Sequence, residues 1–406
     1  MAIVVSKFGG SSVASFDKIK NVAVKLQKMK EEGNDVVVVV SAMGDTTDEL
    51  LKMAKNTGNA NNQREMDMLM VTGEQQSAAY LALTLNGLGC AAVSLTGWQA
   101  GICTDGVFSK AKISGIEPER IEHEIAAGNI VVIAGFQGIS EDGEINTLGR
   151  GGSDTTAVAL AAKLGAERCL IFTDVEGVFT ADPRVVKQAR KLPSISYEEM
   201  LEMASLGAVV LQPRAAEFAM LYNVDVEVLS SFANKPGTII TEGAKMEKLR
   251  NVSGIAHDLN VAKIGLFDVP DEPGVAMRIF QVLAQNGINV DMVIQSAMRG
   301  NRNDIAFTIE RDQLAQALPL VNDVVLSIGA SGMSYGKEVA KISIVGAGMQ
   351  STTGVAAAMF EALADQKINI HMISTSEIKV SCIIDEDKVQ EAIQALHDKF
   401  ELDKED

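Results

Sequence analysis

The chain has 406 residues, and 36 Lys plus Arg against 53 Asp plus Glu leave it with a formal charge of −17. That balance excludes a basic nucleic-acid binder, whose phosphate contacts need clustered Lys and Arg. An apolar fraction of 47% excludes a disordered acidic chain. At about 150 residues per domain the length points to two or three domains. A polyanion that handles anionic metabolites gains nothing from long-range steering, so its positive charge must be concentrated locally.

In chain order, short β-branched runs alternate with stretches of helical period. IVVSKFGG is followed by a helix near residues 16 to 32, then by DVVVVVSAMG, GCAAVSLTG and NIVVIAGFQG, a helix from about Asp154 to Leu164, and ERCLIFTDVEG. Runs so uniformly apolar, without period-two alternation, predict a mainly parallel sheet covered by helices on both faces. Nearly every strand ends in Gly, Ser or Thr, at Gly9, Gly10, Ser41, Thr96, Gly97, Gly135 and Thr173. Ligands of open α/β sheets sit beyond these carboxyl ends. The composition changes after KPGTIIT, and the charged stretch Glu242 to Arg250 reads as a linker.

Beyond it lies an internal repeat. With Gly274 aligned on Gly354, GVAMRIFQVLAQNGINVDMVIQSA matches GVAAAMFEALADQKINIHMISTSE at ten of 24 positions. Each copy reads as a loop, an amphipathic helix and a strand beginning at Ile-Asn. Two copies make a duplicated α+β module, since a solenoid needs at least three.

Four cysteines (Cys90, Cys103, Cys169, Cys382) and four histidines (His123, His257, His371, His397) are scattered with no CxxC pair. This argues against a zinc site or disulfide framework and fits a reducing cytoplasm. The amino terminus lacks a signal-peptide layout, and Val36 to Val40 is too short to span a bilayer. The expectation is a soluble cytoplasmic protein without membrane or nucleic-acid partners.

The chain contains no GxxxxGK[ST] loop, no HRD followed by DFG, and no GxGxxG after a strand, which argues against P-loop, protein-kinase-like and dinucleotide folds. Other glycine-rich turns take their place. SKFGGSS sets Lys7 before two glycines at a strand-to-helix turn. This is either a phosphate cradle of N–H groups plus one ammonium, or a tight turn with a solvated lysine. NTLGRGGSDTT surrounds Arg150 with Gly149, Gly151 and Gly152, with a helix starting at Ser153 or Asp154. Both are good N-cap residues, but an ordinary cap does not explain an arginine among three glycines. A guanidinium there suits bidentate carboxylate recognition. FTDVEGVFTADPR carries Thr173, Asp174, Asp182 and Arg184 beyond a strand end, and VTGEQQSAAY brings Glu74 into a helix. Taken alone, the first reads as a polar loop and the second as a dipole-friendly first-turn acid.

In this order and spacing KFGGSS, SAMGDTTDEL, VTGEQQSA, LGRGGSDTTA and FTDVEGVFTADPR resemble the monofunctional aspartate kinases of the amino-acid kinase superfamily. VPDEPGVA, INVDM and ISTSEI resemble the paired ACT domains that follow their kinase domain. The resemblance covers essentially the whole chain. It implies a carbamate kinase-like α/β fold with an open, mainly parallel sheet, then two ferredoxin-like α+β ACT domains. The expected boundaries are 1–242 for the kinase domain, 243–261 for a linker with a possible strand of the second ACT unit, and 262–336 and 337–406 for the ACT domains.

Residue by residue, the resemblance implies that Lys7, Phe8, Gly9 and Gly10 contact the nucleotide phosphates, with Lys7 neutralising charge on the transferred group. Ser41, Thr47 and Glu74 become substrate contacts. Arg150 pairs with the α-carboxylate of aspartate, flanked by Gly151, Gly152 and Ser153, and Asp154 helps organise the catalytic centre with Lys7 and Arg150. Thr173, Asp174, Phe179, Thr180, Asp182 and Arg184 line the nucleotide pocket. One departure stands out: the family's GxKxL segment reads GAVVL here, with Val209 in place of lysine.

The chemistry accounts for these residue types. The acceptor carboxylate has an ordinary pKa of about 3.9 and is ionised at neutral pH, so no general base is needed. Bringing two anions together is the difficulty, and positioning with charge neutralisation solves it. The implied cofactors are ATP and Mg²⁺ carried by its phosphates, with no metal site of the protein's own.

In the tail the resemblance implies an amino-acid effector, lysine or threonine or both. The expected contacts are Asp271, Glu272, Pro273, Gly274, Val275, Ala276, Asn289, Val290, Asp291, Gln295, Val355, Ala356, Asn369, Ile370 and Ser376. The second copy's loop, MQSTTGV, has no acid and carries Thr353, so the two copies are not expected to be equivalent sites. A homodimer or larger oligomer through the ACT domains is implied, and a separate regulatory subunit started at Met246 or another internal Met is an open alternative. The competing readings are another amino-acid kinase of this fold, or a catalytically silent amino-acid sensor.

Overall fold

The computed structural model describes residues 2–207, 210–242, 251–297 and 300–404. It forms two compact units: one of the described residues of Met1–Val178, Lys191–Ser205 and Val209–Met246, the other of those of Phe179–Arg190, Leu206–Ala208 and Glu247–Asp406. Val209, Met246 and most of the charged linker stretch lie outside the described residues.

The first unit begins with β1 (Ile3–Phe8), α1 (Phe16–Glu31), β2 (Asp35–Val40), α2 (Thr46–Lys55), α3 (Gln63–Met70) and α4 (Thr72–Gly87). Next come β3 (Ala92–Leu95), β4 (Ile102–Thr104), β5 (Ile113–Ile116), α5 (Glu119–Ala126), β6 (Ile130–Ala134), β7 (Gln137–Ile139) and β8 (Ile145–Thr147). It ends with α6 (Gly152–Leu164), β9 (Arg168–Thr173), β10 (Ser194–Ser196), α7 (Tyr197–Ser205), α8 (Pro213–Tyr222), β11 (Val226–Ser230) and β12 (Thr238–Thr241).

Local chemistry explains the elements that matter for the site. Ser15 caps α1 by accepting from the Lys18 N–H at 3.3 Å, Asp17 sits in its first turn, and Lys28 and Lys30 in its last, each favourable to the helix dipole. Its buried stripe Ile19, Val22, Ala23 and Leu26 follows the i, i+3, i+4, i+7 spacing. All six residues of β2 are buried, as expected of a strand covered on both faces. The main sheet runs β10-β12-β11-β9-β1-β2-β6-β3, parallel except where β11 meets β12. A second, four-stranded sheet, β5-β4-β7-β8, carries the segment leading into the Arg150 turn. Periodicity does not reveal it, because its strands are only three or four residues long.

The second unit contains β13 (Gly254–Pro270), α9 (Val275–Gln285), β14 (Val290–Gln295), β15 (Arg302–Glu310), α10 (Leu314–Ile328), β16 (Gly332–Val345), α11 (Val355–Asp365), β17 (Met372–Thr375), β18 (Lys379–Asp385) and α12 (Val389–Lys399). One antiparallel sheet, β14-β15-β13-β16-β18-β17, joins both repeat copies. The long strands serve both: Gly254–Asp258 pairs with Lys341–Val345, and Lys263–Phe267 with Gly332–Gly336. Two apolar clusters result, one around Ile264, Leu283 and Phe307, the other around Ile342, Leu363 and Leu396.

The strands of the repeat do not start at Ile-Asn as expected, but at Val290 and Met372. Ile288 and Ile368 instead close the preceding helices: their N–H groups donate to the Leu283 and Leu363 carbonyls at 3.0 and 2.9 Å, after Gly287 and Lys367 at φ 71° and 57°. This is the helix-ending arrangement in which a buried residue follows a left-handed one.

Candidate active site

A cleft of about 880 Å³ opens in the first unit at the carboxyl ends of β1, β2 and β6. Lys7, Gly10, Ser41, Thr47, Glu74, Arg150, Gly151, Gly152, Ser153 and Asp154 all line it. The structure thus brings together residues from four of the separated motifs.

Lys7, the penultimate residue of β1, is only 9% exposed, and its Nζ lies 2.5 Å from Asp154 Oδ1 in the first turn of α6. Asp154 does not cap that helix. The N-cap is Gly151, left-handed at φ 70° with no side-chain cap, so α6 starts at Gly152, earlier than the N-cap preferences of Ser153 and Asp154 led us to expect. A Cβ on Gly151 would lie 1.9 Å from Gln212 Cγ, so only glycine fits. An uncapped helix leaves first-turn N–H groups without intrahelical acceptors and offers a partial positive charge. Here that end borders the cleft beside Lys7. Ten successive residues of α6, Gly152 to Ala161, are buried, which holds it rigidly in place.

Arg150 is exposed and makes no ion pair among the described residues. Glu74 is more than a first-turn acid: it is 4% exposed, Oε1 accepts from the Ala42 N–H at 3.2 Å, and Oε2 is buried without a partner. Burial pushes its carboxyl up to about 7, against the pull of donation from its own backbone N–H and that of Ala42. A carboxyl raised above its ordinary 4.5 holds a proton in the folded state that the unfolded chain has lost, so its contribution makes stability fall as pH climbs from about 4.5 to about 7. Glu74→Gln should therefore raise Tm at pH 8 and flatten this dependence, measured by thermal melts across pH. A melt at pH 8 no higher than the parent's would contradict it.

Other expected contacts are placed differently. The Phe8 ring is fully buried and stacked on Phe172 at 4.5 Å, and its carbonyl accepts from the Ser41 N–H at 3.1 Å. Thr173 donates to Asp174 Oδ1 at 3.2 Å at the end of β9. Phe179, Thr180, Asp182 and Arg184 belong to the second unit. There Thr180 is fully buried, its hydroxyl 3.1 Å from His397 Nε2 and accepting from the Arg190 N–H at 3.0 Å. With those bonds satisfied its side chain is a packing group, not the nucleotide contact expected. Arg184 donates to both carboxylate oxygens of Asp182, at 2.8 to 3.2 Å, and holds that carboxyl below its ordinary range.

In the repeat, Asp271, Glu272, Pro273, Gly274, Ala276, Asn289, Asp291, Gln295, Asn369 and Ser376 are exposed, and Val290, Ala356 and Ile370 half-buried. Val275 and Val355 are buried in the two apolar cores, so their side chains do not reach a ligand as expected. Asp291 pairs with buried Lys341 at 2.5 Å.

Sequence reasoning missed several cleft residues. Asp67, Ser109, Thr147 and Gln212 line the cleft. No local pattern marks them, because their partners lie tens of residues away. Nearby, Lys18 Nζ donates to the Ser11 carbonyl at 2.8 Å, and Lys25 Nζ to that of Ser231 at 2.7 Å, adding positive charge behind the Lys7 turn.

A buried lysine in a glycine turn, an uncapped helix end and a carboxylate-compatible arginine, on a mainly parallel sheet followed by a duplicated α+β module, define an amino-acid kinase with ACT domains. Residues 2–230 match the family model described as Amino acid kinase family, and residues 268–324 and 342–400 match an ACT domain. The aspartokinase of Bacillus sp. (strain MGA3) is 52% identical over 402 residues, 99% of this chain and 98% of that protein. The crystal structure of E. coli aspartokinase III in complex with lysine and aspartate is similar with a TM-score of 0.76 and 25% identity, over 98% of this chain and 99% of that one. The same enzyme in complex with aspartate and ADP, at 24% identity and a TM-score of 0.81 over 98% and 99%, shows the fold. The chain belongs to the aspartokinases.

Proposed function

We propose that this enzyme transfers the γ-phosphoryl group of ATP to the side-chain carboxylate of L-aspartate, forming 4-phospho-L-aspartate, the entry step to lysine, threonine and methionine. The observation that carries this reading is the Lys7–Asp154 pair at 2.5 Å, at the uncapped start of α6 and within the same cleft as Arg150 and Glu74. The acceptor is already ionised and attacks directly, so the protein's contribution is positioning and neutralisation. Arg150 receives the α-carboxylate, with Gly151, Gly152 and Ser153 beside it. Glu74, whose Oε2 lacks a partner, receives the α-ammonium, with Ser41 and Thr47 completing the pocket. Lys7, held in orientation by Asp154, and the Gly10 end of the turn face the phosphates, the Gly9 N–H being spent on the Phe172 carbonyl at 3.2 Å. Thr173 and Asp174 border the nucleotide. Mg²⁺ would be carried by the phosphates and would supply neutralisation of their charge beside Lys7. Among the described residues no group of three His, Cys, Asp or Glu could hold a metal.

Trapping with hydroxylamine tests the product: an acyl phosphate gives the hydroxamate, expected only when ATP and aspartate are both present. ADP release without hydroxamate would contradict the proposed acceptor.

For regulation, we assign an amino-acid effector, lysine or threonine or both, to the exposed loop Asp271–Gly274 and to the exposed Asn289, Asp291 and Gln295 at and on β14 of the first ACT domain, and to Asn369 and Ser376 of the second, with the ACT domains also joining subunits. A cytoplasmic setting suits the free Cys90, Cys103, Cys169 and Cys382. Linkage requires that an inhibitor weakening substrate binding be weakened by substrate in turn. Calorimetry should show heat for lysine or threonine that falls when aspartate and a nucleotide are present. No heat for lysine, threonine or methionine would defeat the assignment.

A further inference from the structure

The Arg150 turn is short, glycine-rich and exposed at its tip, yet two buried anchors hold the segments beneath it. Asp67, on α3 and 1% exposed, accepts four hydrogen bonds: from the N–H groups of Ser109 and Thr147, both at 2.9 Å, and from their hydroxyls at 3.3 and 2.7 Å. Arg214, in the first turn of α8, donates to the carbonyls of Leu148 at 2.6 Å and Ala111 at 3.1 Å. The two side chains therefore grip the same two segments, residues 109–111 and 147–148, one through donors and the other through acceptors. The segments are joined directly as well, the Ala111 N–H donating to the Thr147 carbonyl at 2.9 Å.

The Gly149–Arg150–Gly151 turn begins immediately after Leu148. Ser109 adopts φ 65°, a left-handed conformation uncommon for serine, and both its N–H and hydroxyl are spent on Asp67. In that conformation its carbonyl oxygen stands 3.2 Å from where a Cβ on Gly149 would be. Gln212, two residues before Arg214, closes the other flank against Gly151. A carboxylate accepting four donors from sequence-distant residues is more than a turn needs, and it lines the cleft itself.

We propose that Asp67 and Arg214 are positioning residues for substrate recognition: a clamp of opposite charges that sets the Arg150 turn at the spacing needed to receive the substrate's carboxylate. This rests on the assignment of Arg150 to the α-carboxylate of aspartate. Asp67→Asn keeps the shape and an oxygen for the two N–H donors, but it removes the negative charge and turns an NH₂ group toward the Ser109 and Thr147 hydroxyls, which must then reverse from donating to accepting. It should raise KM for aspartate about tenfold, leave KM for ATP within about twofold, and lose most of that effect in an Arg150→Ala background, because residues acting through one group are non-additive. Arg214→Lys, which replaces the two-nitrogen fork on Leu148 and Ala111 by a single nitrogen, should give the same aspartate-selective pattern and serves if Asp67→Asn fails to fold. An unchanged KM for aspartate, equal increases for both substrates, or effects that multiply fully with Arg150→Ala would overturn the clamp. Arg150→Ala with unaltered KM would instead remove Arg150 from the substrate site. The aspartate-to-ATP selectivity of Asp67→Asn and Arg214→Lys would then still decide whether the clamp serves the substrate pocket.

Discussion

Replacing Lys7 by methionine should lower kcat at least about a thousandfold, at the upper end of what removing one preorganised donor costs. The reason lies in burial. Lys7 is 9% exposed, and its ammonium is the charge that the cleft presents from β1. The same substitution strands the Asp154 carboxylate, itself 7% exposed, and removing one partner of a buried pair destabilises by about 3 kcal/mol or more. The two consequences separate cleanly. Lys7→Met combined with Asp154→Asn should recover most of the lost Tm and none of the activity, read by melting and ADP release on the same preparations. Recovery of activity in the double variant would mean that Lys7 serves the fold and not the reaction.

Arg150→Ala should act on binding instead. Two charge-assisted hydrogen bonds to a carboxylate, each contributing about 1.5 kcal/mol or more, correspond to roughly a hundredfold rise in KM for aspartate. KM for ATP should stay within about twofold, because Lys7 and the Gly9–Gly10 turn are untouched. Arg150 is exposed and forms no ion pair among the described residues, so Tm should barely move. Steady-state kinetics with each substrate varied in turn reads all of this. A comparable loss for ATP would place Arg150 at the phosphates.

Much of this arrangement is legible in the chain because the relevant signals are local. The apolar run Val36–Val40 shows a strand covered on both faces, the glycines around Lys7 and Arg150 mark strand-to-helix turns, and the repeat at Gly274 and Gly354 reveals two modules. Other features depend on partners far away. Asp67 is one acid in an amphipathic helix until folding brings Ser109 and Thr147 to it, 42 and 80 residues on. Arg214 is an ordinary arginine after a proline until it meets Leu148 and Ala111. Thr180 misleads for a related reason: its motif places it beside the nucleotide, while its hydroxyl is engaged by His397, 217 residues away. Net charge misleads as well. A formal −17 says nothing of how charge is placed in the cleft, where Lys7, Arg150 and an uncapped helix end stand among Asp67, Glu74 and Asp154. Arg184, expected to line the nucleotide pocket, is paired with Asp182.

The central claim concerns the acceptor, and a coupled ADP-release assay addresses it most directly. Purified enzyme with ATP and Mg²⁺ should release ADP with L-aspartate and show no comparable turnover with L-glutamate or N-acetyl-L-glutamate: with the proposed roles of Arg150 and Glu74, a longer side chain carries its carboxylate past the position set by Lys7, and an acetylated nitrogen offers Glu74 no ammonium. Turnover with glutamate and none with aspartate would contradict the account.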